Sequence, residues 1–296
     1  MYFIDAVNRN YETRKRIFSQ IPEGTSLVKM YDQDSAFICG LLEKSKPRKI
    51  LEVGIANGGT SAIILECMYE LGLSCELHCV DKMEKGYMGV DREIGFLGKE
   101  AARLLGFDNY HLWKGVVLPQ VIDKIGPGID FLILDTTHIL PGETLDFLIA
   151  YPYLSQNAFV CLHDIRQNQK NPPDQKRIGT NALFNCIAAD KYVDSDAERT
   201  PDYPNIGAFQ VNADTKKYIT NVFGALTMNW QYSLSEKEYS DYSGIIRRHY
   251  PEEARWLFDH AVIMNRLSLS HSLKKKTIPV WAARQKERVK KLLTRR

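Results

Sequence analysis

Three short stretches hold residue types that can do chemistry together. IDFLILDTTH ends an apolar run with Asp135 and, three residues on, His138, while AFVCLHD ends another with His163 and Asp164. KILEVGIANGGTS ends a third with Glu52 and a glycine-rich turn. An imidazole near neutrality can take the proton of a weakly acidic hydroxyl, and a bound divalent cation can lower that hydroxyl's pKa. The sequence offers candidates for both tasks. Taken singly, His138 reads as a satisfied rim histidine and His163–Asp164 as a loop cap. Four such groups at the ends of neighbouring strands, beside a ligand-binding turn, reverse that reading.

In the turn, Gly54, Gly58 and Gly59 stand between an apolar strand and an apolar helical run. Glycines there let the backbone approach a ligand, and the following helix N-terminus offers unpaired N–H groups to an anion. A nucleotide-like ligand is the inference. The dinucleotide fingerprint G-x-G-x-x-G would need glycine where Ala56 stands, and the next strand-end acid, Asp81, lies 27 residues past Gly54 rather than about twenty. No Gly-Lys-Ser/Thr follows the turn, so the phosphate-binding loop is absent as well.

The elements that must position these groups follow from the periodicity. KILEV, ELHCVD, NYHLWKG, DFLILD and AFVCLHD read as strands, separated by the helical patterns TSAIILECMYELG, GFLGKEAARLLG, LPQVIDKIG and ETLDFLIAYPYL. Such alternation of short apolar runs with helices predicts an α/β fold with a doubly wound, mostly parallel sheet covered on both faces. Ligands bind outside the carboxyl ends of such strands, where Glu52, Asp81, Asp135, His138, His163 and Asp164 all fall. NIGAFQVN reads as a late edge strand, and from about residue 213 the chain reads as helical, with Pro251 placed to start a helix. The polar stretch from Gln167 to Arg177 has the length of a lid, and Asn171-Pro-Pro-Asp174 within it reads as a turn.

E-V-G-I-A-N-G-G-T-S followed by an acid at the end of the second strand resembles the cofactor motif of class I S-adenosylmethionine-dependent methyltransferases. The Gly-Gly doublet is most similar to that of the macrolide sugar O-methyltransferases, such as the macrocin and mycinamicin enzymes, with catechol O-methyltransferase among broader relatives. The resemblance covers about residues 35 to 212. It implies a seven-strand Rossmann-like sheet, with Gly54, Gly58, Gly59 and Ser61 around the methionine part of S-adenosylmethionine. It also implies that Asp81 accepts from the ribose hydroxyls and that Glu52 organises the site near the cofactor amino group. The family's D-x-x-H places Asp135 on magnesium and His138 as base. Its acidic pair after the fifth strand is matched by Asp164 but not by His163, and imidazole suits a softer divalent cation better than magnesium. The implied ligand set is therefore Asp135, His163 and Asp164, holding magnesium or another divalent cation. The implied activity is methyl transfer to a hydroxyl of a sugar or small natural product.

On this reading, residues 1–34 are an N-terminal helical segment, 35–212 the catalytic domain, 213–273 a helical cap or oligomerisation region of a homo-oligomer, and 274–296 a basic tail. The tail holds ten Lys/Arg and one Glu, a charge of +9, so the overall +3 leaves −6 for the preceding 273 residues. It suits weak contact with an anionic membrane surface better than nucleic acid, and the bland reading is a solvated helix. MYFIDAVNRNYETRKR lacks the apolar core of a secretory signal and no apolar run reaches spanning length, so the expected location is cytoplasmic, at most peripheral to the inner face of the membrane. Six cysteines in apolar surroundings without CxxC spacing read as reduced core residues. The rivals are a non-catalytic scaffold of the same fold, a nicotinamide-dependent oxidoreductase, and an RNA-methylating enzyme suggested only by the tail.

Overall fold

The computed structural model of the chain describes residues 32–87, 90–169, 176–193 and 204–276. Its organising element is the strand β6 (Ile129–Leu134). Successive side chains of a strand point to opposite faces, and here both faces are dry. Leu132 and Leu134 enter one hydrophobic cluster with Leu51, Val53 and Val160, while Phe131 and Ile133 enter the other with Ile50, Phe159 and Cys161. An uninterrupted apolar run is what a strand covered on both sides requires.

In chain order the elements are α1 (Asp32–Ser45), β1 (Lys49–Val53), α2 (Gly59–Glu70), β2 (Glu76–Asp81), β3 (Lys85–Tyr87), β4 (Val90–Glu93), α3 (Phe96–Leu105) and β5 (Tyr110–Lys114). A 3-10 turn (Leu118–Gln120) and the short α4 (Ile122–Ile125) lead into β6, followed by α5 (Gly142–Ala150), β7 (Leu154–Leu162), α6 (Gly179–Cys186), β8 (Asp190–Val193) and β9 (Gly207–Gln210). The sheet has seven strands in the order β5-β2-β1-β6-β7-β9-β8. The first five are parallel, and β9 runs antiparallel to both β7 and β8. The strand order reverses at β1, where the chain steps outward to β2 on one side and later returns to β6 on the other. That reversal opens a crevice above the carboxyl ends of β1, β2 and β6.

Two details differ from the sequence reading. The strand in NIGAFQVN is not the edge: Phe209 and Ala208 are wholly buried, and β8 lies outside it. β8 is four residues long and largely exposed, so it carries neither the length nor the apolarity that marks a strand in sequence. The antiparallel ribbon of β3 and β4 is likewise short and polar, and it arises between ELHCVD and GFLGKEAARLLG, where the periodicity marks no element.

The chain closes with α7 (Ala213–Lys217), α8 (Thr220–Ala225), α9 (Glu236–His249) and α10 (Glu252–Lys276). Ser235 caps α9 by accepting from the Glu238 N–H, and Glu238 returns a carboxylate to the Ser235 N–H. α9 then packs on α5 through the Tyr242 hydroxyl, which donates to Asp146. α1 straddles the expected boundary at residue 35. Among the described residues no helix is long and apolar enough to cross a membrane. All six cysteines are free thiols, five of them buried. Most of the N-terminal segment, residues 170–175 of the expected lid with its Pro-Pro turn, and most of the basic tail lie outside the described residues.

Candidate active site

The glycine turn is held from three sides. Gly54 donates its N–H to the Val80 carbonyl of β2, and the Asp135 N–H returns to the Val53 carbonyl of β1. Asp81 accepts the Ile55 and Ala56 N–H groups at 2.8 and 3.0 Å and the Met83 N–H at 2.8 Å. A carboxylate has about four acceptor positions, so Asp81 clamps the turn and keeps one for a further donor. Gly58 is needed for packing: a Cβ there would sit 2.8 Å from the Gly98 nitrogen and 2.9 Å from Gly95 Cα, and its φ is +88°. The carbonyls of Ala56 and Asn57 accept the Gly95 and Leu97 N–H groups, so the start of α3 backs the turn.

Beneath the turn, Glu52 and Ser61 are wholly buried and bonded to each other, with Ser61 Oγ donating to Glu52 Oε2 at 2.5 Å. Cys79 Sγ donates to the same oxygen at 3.2 Å, and Oε1 has no partner among the described residues. Burial raises the Glu52 pKa from the usual 4.5 to about 7, despite the opposing bonds from Ser61 and Cys79. Because the folded pKa lies above the unfolded one, this carboxyl's stabilising share is complete below about pH 4.5 and is lost as pH rises through 7. The shift corresponds to on the order of 3 kcal/mol. Glu52→Gln should remove that dependence, so urea unfolding at pH 5 and pH 8 should show the variant gaining roughly 2–3 kcal/mol relative to wild type across the interval. Parallel pH curves would mean that Glu52 titrates as an ordinary carboxylate.

At the ends of β6 and β7 the structure brings Asp135, His138 and Asp164 together, their ligand atoms all within 4.8 Å of one another. His138 Nε2 lies 3.2 Å from Asp164 Oδ2 and 3.6 Å from Asp135 Oδ1, while Nδ1 faces Glu143 Oε1 at 3.4 Å. Glu143 is wholly buried and holds the loop by accepting the His138 N–H at 2.6 Å and the Thr136 hydroxyl at 2.9 Å. His138 and Asp164 both have φ of +59°, the left-handed region, and Asn205 fixes the Asp164 carboxylate at 2.8 Å. Two non-glycine residues in this region at one rim are the kind of strain that clusters at functional sites. Burial opposes a charge on His138, but Glu143, Asp135 and Asp164 outweigh it and raise its pKa.

His163 takes a different place from the ligand role expected of it. Its Nδ1 is 3.2 Å from Asp135 Oδ1 and its Nε2 is 3.2 Å from Asp34 Oδ2 on α1, so both ring nitrogens are engaged. Burial works against its charge, yet Asp135 and Asp34 hold its pKa well above the usual value. His163 in turn keeps the Asp135 carboxyl below its usual range although burial pushes the other way. The candidate cation set is therefore Asp135, His138 and Asp164, with His163 behind Asp135.

A cavity of about 340 Å³ opens beside this rim. Gly54, Ala56, Asp81, Met83, Asp135 and Thr136, from the ends of β1, β2 and β6, line it, together with Val116, Val117, Leu118, Asp146, Tyr232, Leu234 and Tyr242. Glu52, Gly58, Gly59 and Ser61 do not line it. Lys82 and Glu238 form an ion pair at 2.7 Å where α9 meets the end of β2. Asp34, Glu143 and Asp146 escaped the sequence reading. One signal was present: Glu143 and Asp146 sit in α5, which is buried on every side, and acids on such a helix need a partner or a task.

Residues 51–165 match a family model described as a methyltransferase domain. No curated protein sequence matches the chain. Among solved structures, the O-methyltransferase of Bacillus cereus in complex with S-adenosylhomocysteine is 12% identical, with 70% of this chain and 91% of that one covered at a TM-score of 0.44. The O-methyltransferase TomG of Streptomyces achromogenes, in complex with S-adenosylmethionine, is 15% identical over 70% and 90%, with a TM-score of 0.47. MycE of the mycinamycin biosynthetic pathway, in complex with magnesium, S-adenosylhomocysteine and mycinamycin VI, is 14% identical over 70% and 55%, with a TM-score of 0.45.

Proposed function

We propose that this chain, a class I methyltransferase by its domain and its seven-strand sheet, transfers the methyl group of S-adenosylmethionine to a hydroxyl of a sugar or small natural product. The observation that carries the reading is one cavity that runs from the clamped glycine turn and Asp81 to Asp135, at the edge of the Asp135–His138–Asp164 cluster.

The residues fit the cofactor. The cavity is lined largely by apolar residues, and Asp81 on its wall keeps an acceptor position for a ribose hydroxyl. They also fit a cation, since the carboxylates of Asp135 and Asp164 converge from two strand ends, with His138 beside them left free to act as base. Bound S-adenosylmethionine supplies an electrophilic methyl group on a sulfonium. Asp135 and Asp164 would hold a divalent cation, which supplies Lewis acidity to the acceptor hydroxyl. His138 receives the hydroxyl proton at Nε2, and Glu143 orients the ring through Nδ1. Neutralising Asp135 and Asp164 removes two of the charges that raise the His138 pKa, so that more of the rings stand neutral with Nε2 free for a proton.

Calorimetric titration with S-adenosylhomocysteine, with and without magnesium, tests the reading. Folded wild-type protein is expected to bind in the micromolar range, and Asp81→Ala to lose at least tenfold in affinity, because it removes the ribose acceptor and loosens the turn together. Absence of binding by folded wild-type protein, or binding of NAD instead, would sink the proposal. Heat of magnesium binding that vanishes in Asp164→Asn would locate the cation at the rim.

A further inference from the structure

Much of the cavity wall is built from parts of the chain far from the glycine turn. Beyond Asp81 the walls are Val116, Val117 and Leu118 on one side and Leu234, Tyr232 and Tyr242 on the other, with Asp146 among them. From Asp135 at the end of β6 its lining extends past Asp81 at the end of β2 to Val116, Val117 and Leu118 after β5, on the far side of β1 from β7, and neither His138 nor Asp164 lines it. If the sulfonium lies by Asp135 and the ribose by Asp81, the remaining part of the cofactor, a flat aminopurine, must lie against these largely apolar walls. This rests on the cofactor reading above.

The polar groups there differ in what they have left to give. Glu238 is occupied by Lys82 Nζ at 2.7 Å and by the N–H and hydroxyl of Ser235 at 2.9 and 2.8 Å. Tyr242 donates its hydroxyl to Asp146 Oδ1 at 3.1 Å. Asp146 Oδ2 has no hydrogen bond to a described residue, yet Asp146 lines the cavity while only 7% exposed. A carboxylate held in place by a tyrosine on the wall of a largely apolar cavity is an acceptor waiting for a donor.

We infer that Asp146, oriented by Tyr242, recognises the exocyclic 6-amino group of the cofactor's purine and so selects a 6-aminopurine nucleoside over its 6-oxo counterpart. A 6-oxo base would set a second oxygen against Oδ2, and the buried carboxylate would then lack its partner. Burial first and Glu143 second push the Asp146 carboxyl up to about 7, against the Tyr242 hydrogen bond and Lys82, so above that pH it is acceptor-only. The residue is a specificity determinant supplied by α5, positioned by a helix outside the segment that matches the methyltransferase domain.

The test is calorimetric titration of the full chain at pH 8 with S-adenosylhomocysteine and with its deaminated analogue S-inosylhomocysteine. Wild type is expected to prefer the 6-amino ligand by roughly tenfold to a hundredfold. Asp146→Asn can turn an N–H₂ toward the 6-oxo group, so it should erase the preference and bind the 6-oxo ligand more tightly than wild type does, a gain that misfolding cannot produce. Asp146→Ser serves where the amide variant does not fold, and should erase the preference as well. Equal binding of both ligands by wild type overturns this assignment alone, as does a wild-type preference that survives either substitution. Binding of neither by wild type sinks the cofactor reading and this assignment together.

Discussion

Gly54→Ala is expected to remove most of the protein's stability. The residue has φ of +88°, and an added methyl would lie far inside van der Waals contact distance of the Asp135 carbonyl oxygen, 2.6 Å from its carbon and 3.0 Å from Thr136 Cα. All three atoms are backbone, so no side chain can swing aside. Relief would require parting β1 from β6 where Val53 pairs with Leu134 and where the Asp135 N–H meets the Val53 carbonyl. A loss of about 4 kcal/mol or more is expected, a large share of the roughly 5–15 kcal/mol that holds a domain together. Gly72→Ala is the control, since Gly72 also has positive φ, +62°, with nothing within 4 Å of an added Cβ. It should lose only about 1 kcal/mol, the left-handed backbone penalty alone. Urea denaturation of the two variants separates the effects, and equal midpoints would refute the close approach at Gly54.

The second large effect is on turnover. His138→Asn should lower kcat by roughly 10²–10⁴-fold on any hydroxyl acceptor that the wild type methylates, the usual contribution of a positioned general base. Asparagine is the right substitution because it tolerates the left-handed backbone that His138 adopts, where alanine would add strain. Affinity for S-adenosylhomocysteine should stay within about twofold, because His138 is not on the cavity wall and a lost base acts on the transition state. A kcat within threefold of wild type would remove His138 from the proton transfer.

The sheet and its turn were legible in sequence for a physical reason. Strands buried on both faces must be apolar throughout, so the first polar residue after each run marks the carboxyl rim, and Asp81, Asp135, His138, His163 and Asp164 are found there. What sequence could not show was which rim groups face each other. His163 reads as a ligand until Asp34, 129 residues earlier in the chain, is seen to occupy its second nitrogen. Gly58 reads as a ligand-approach glycine until Gly95 and Gly98 are found against it. β8 was illegible because a four-residue, mostly exposed edge strand owes its conformation to pairing with β9, not to its own residues.

The span of the cavity wall, from Val53 to Tyr242, sets when a chain made from its N-terminus can first use it. When β1, β2 and β6 have left the ribosome, the clamped turn and its acids are complete, but Tyr232, Leu234 and Tyr242 are still to be synthesised. A nascent chain therefore has an open trough where the finished protein has a slot. Stabilisation by S-adenosylhomocysteine should thus arrive late, after α9 has docked, and ligand in the cell would favour completed chains over stalled ones.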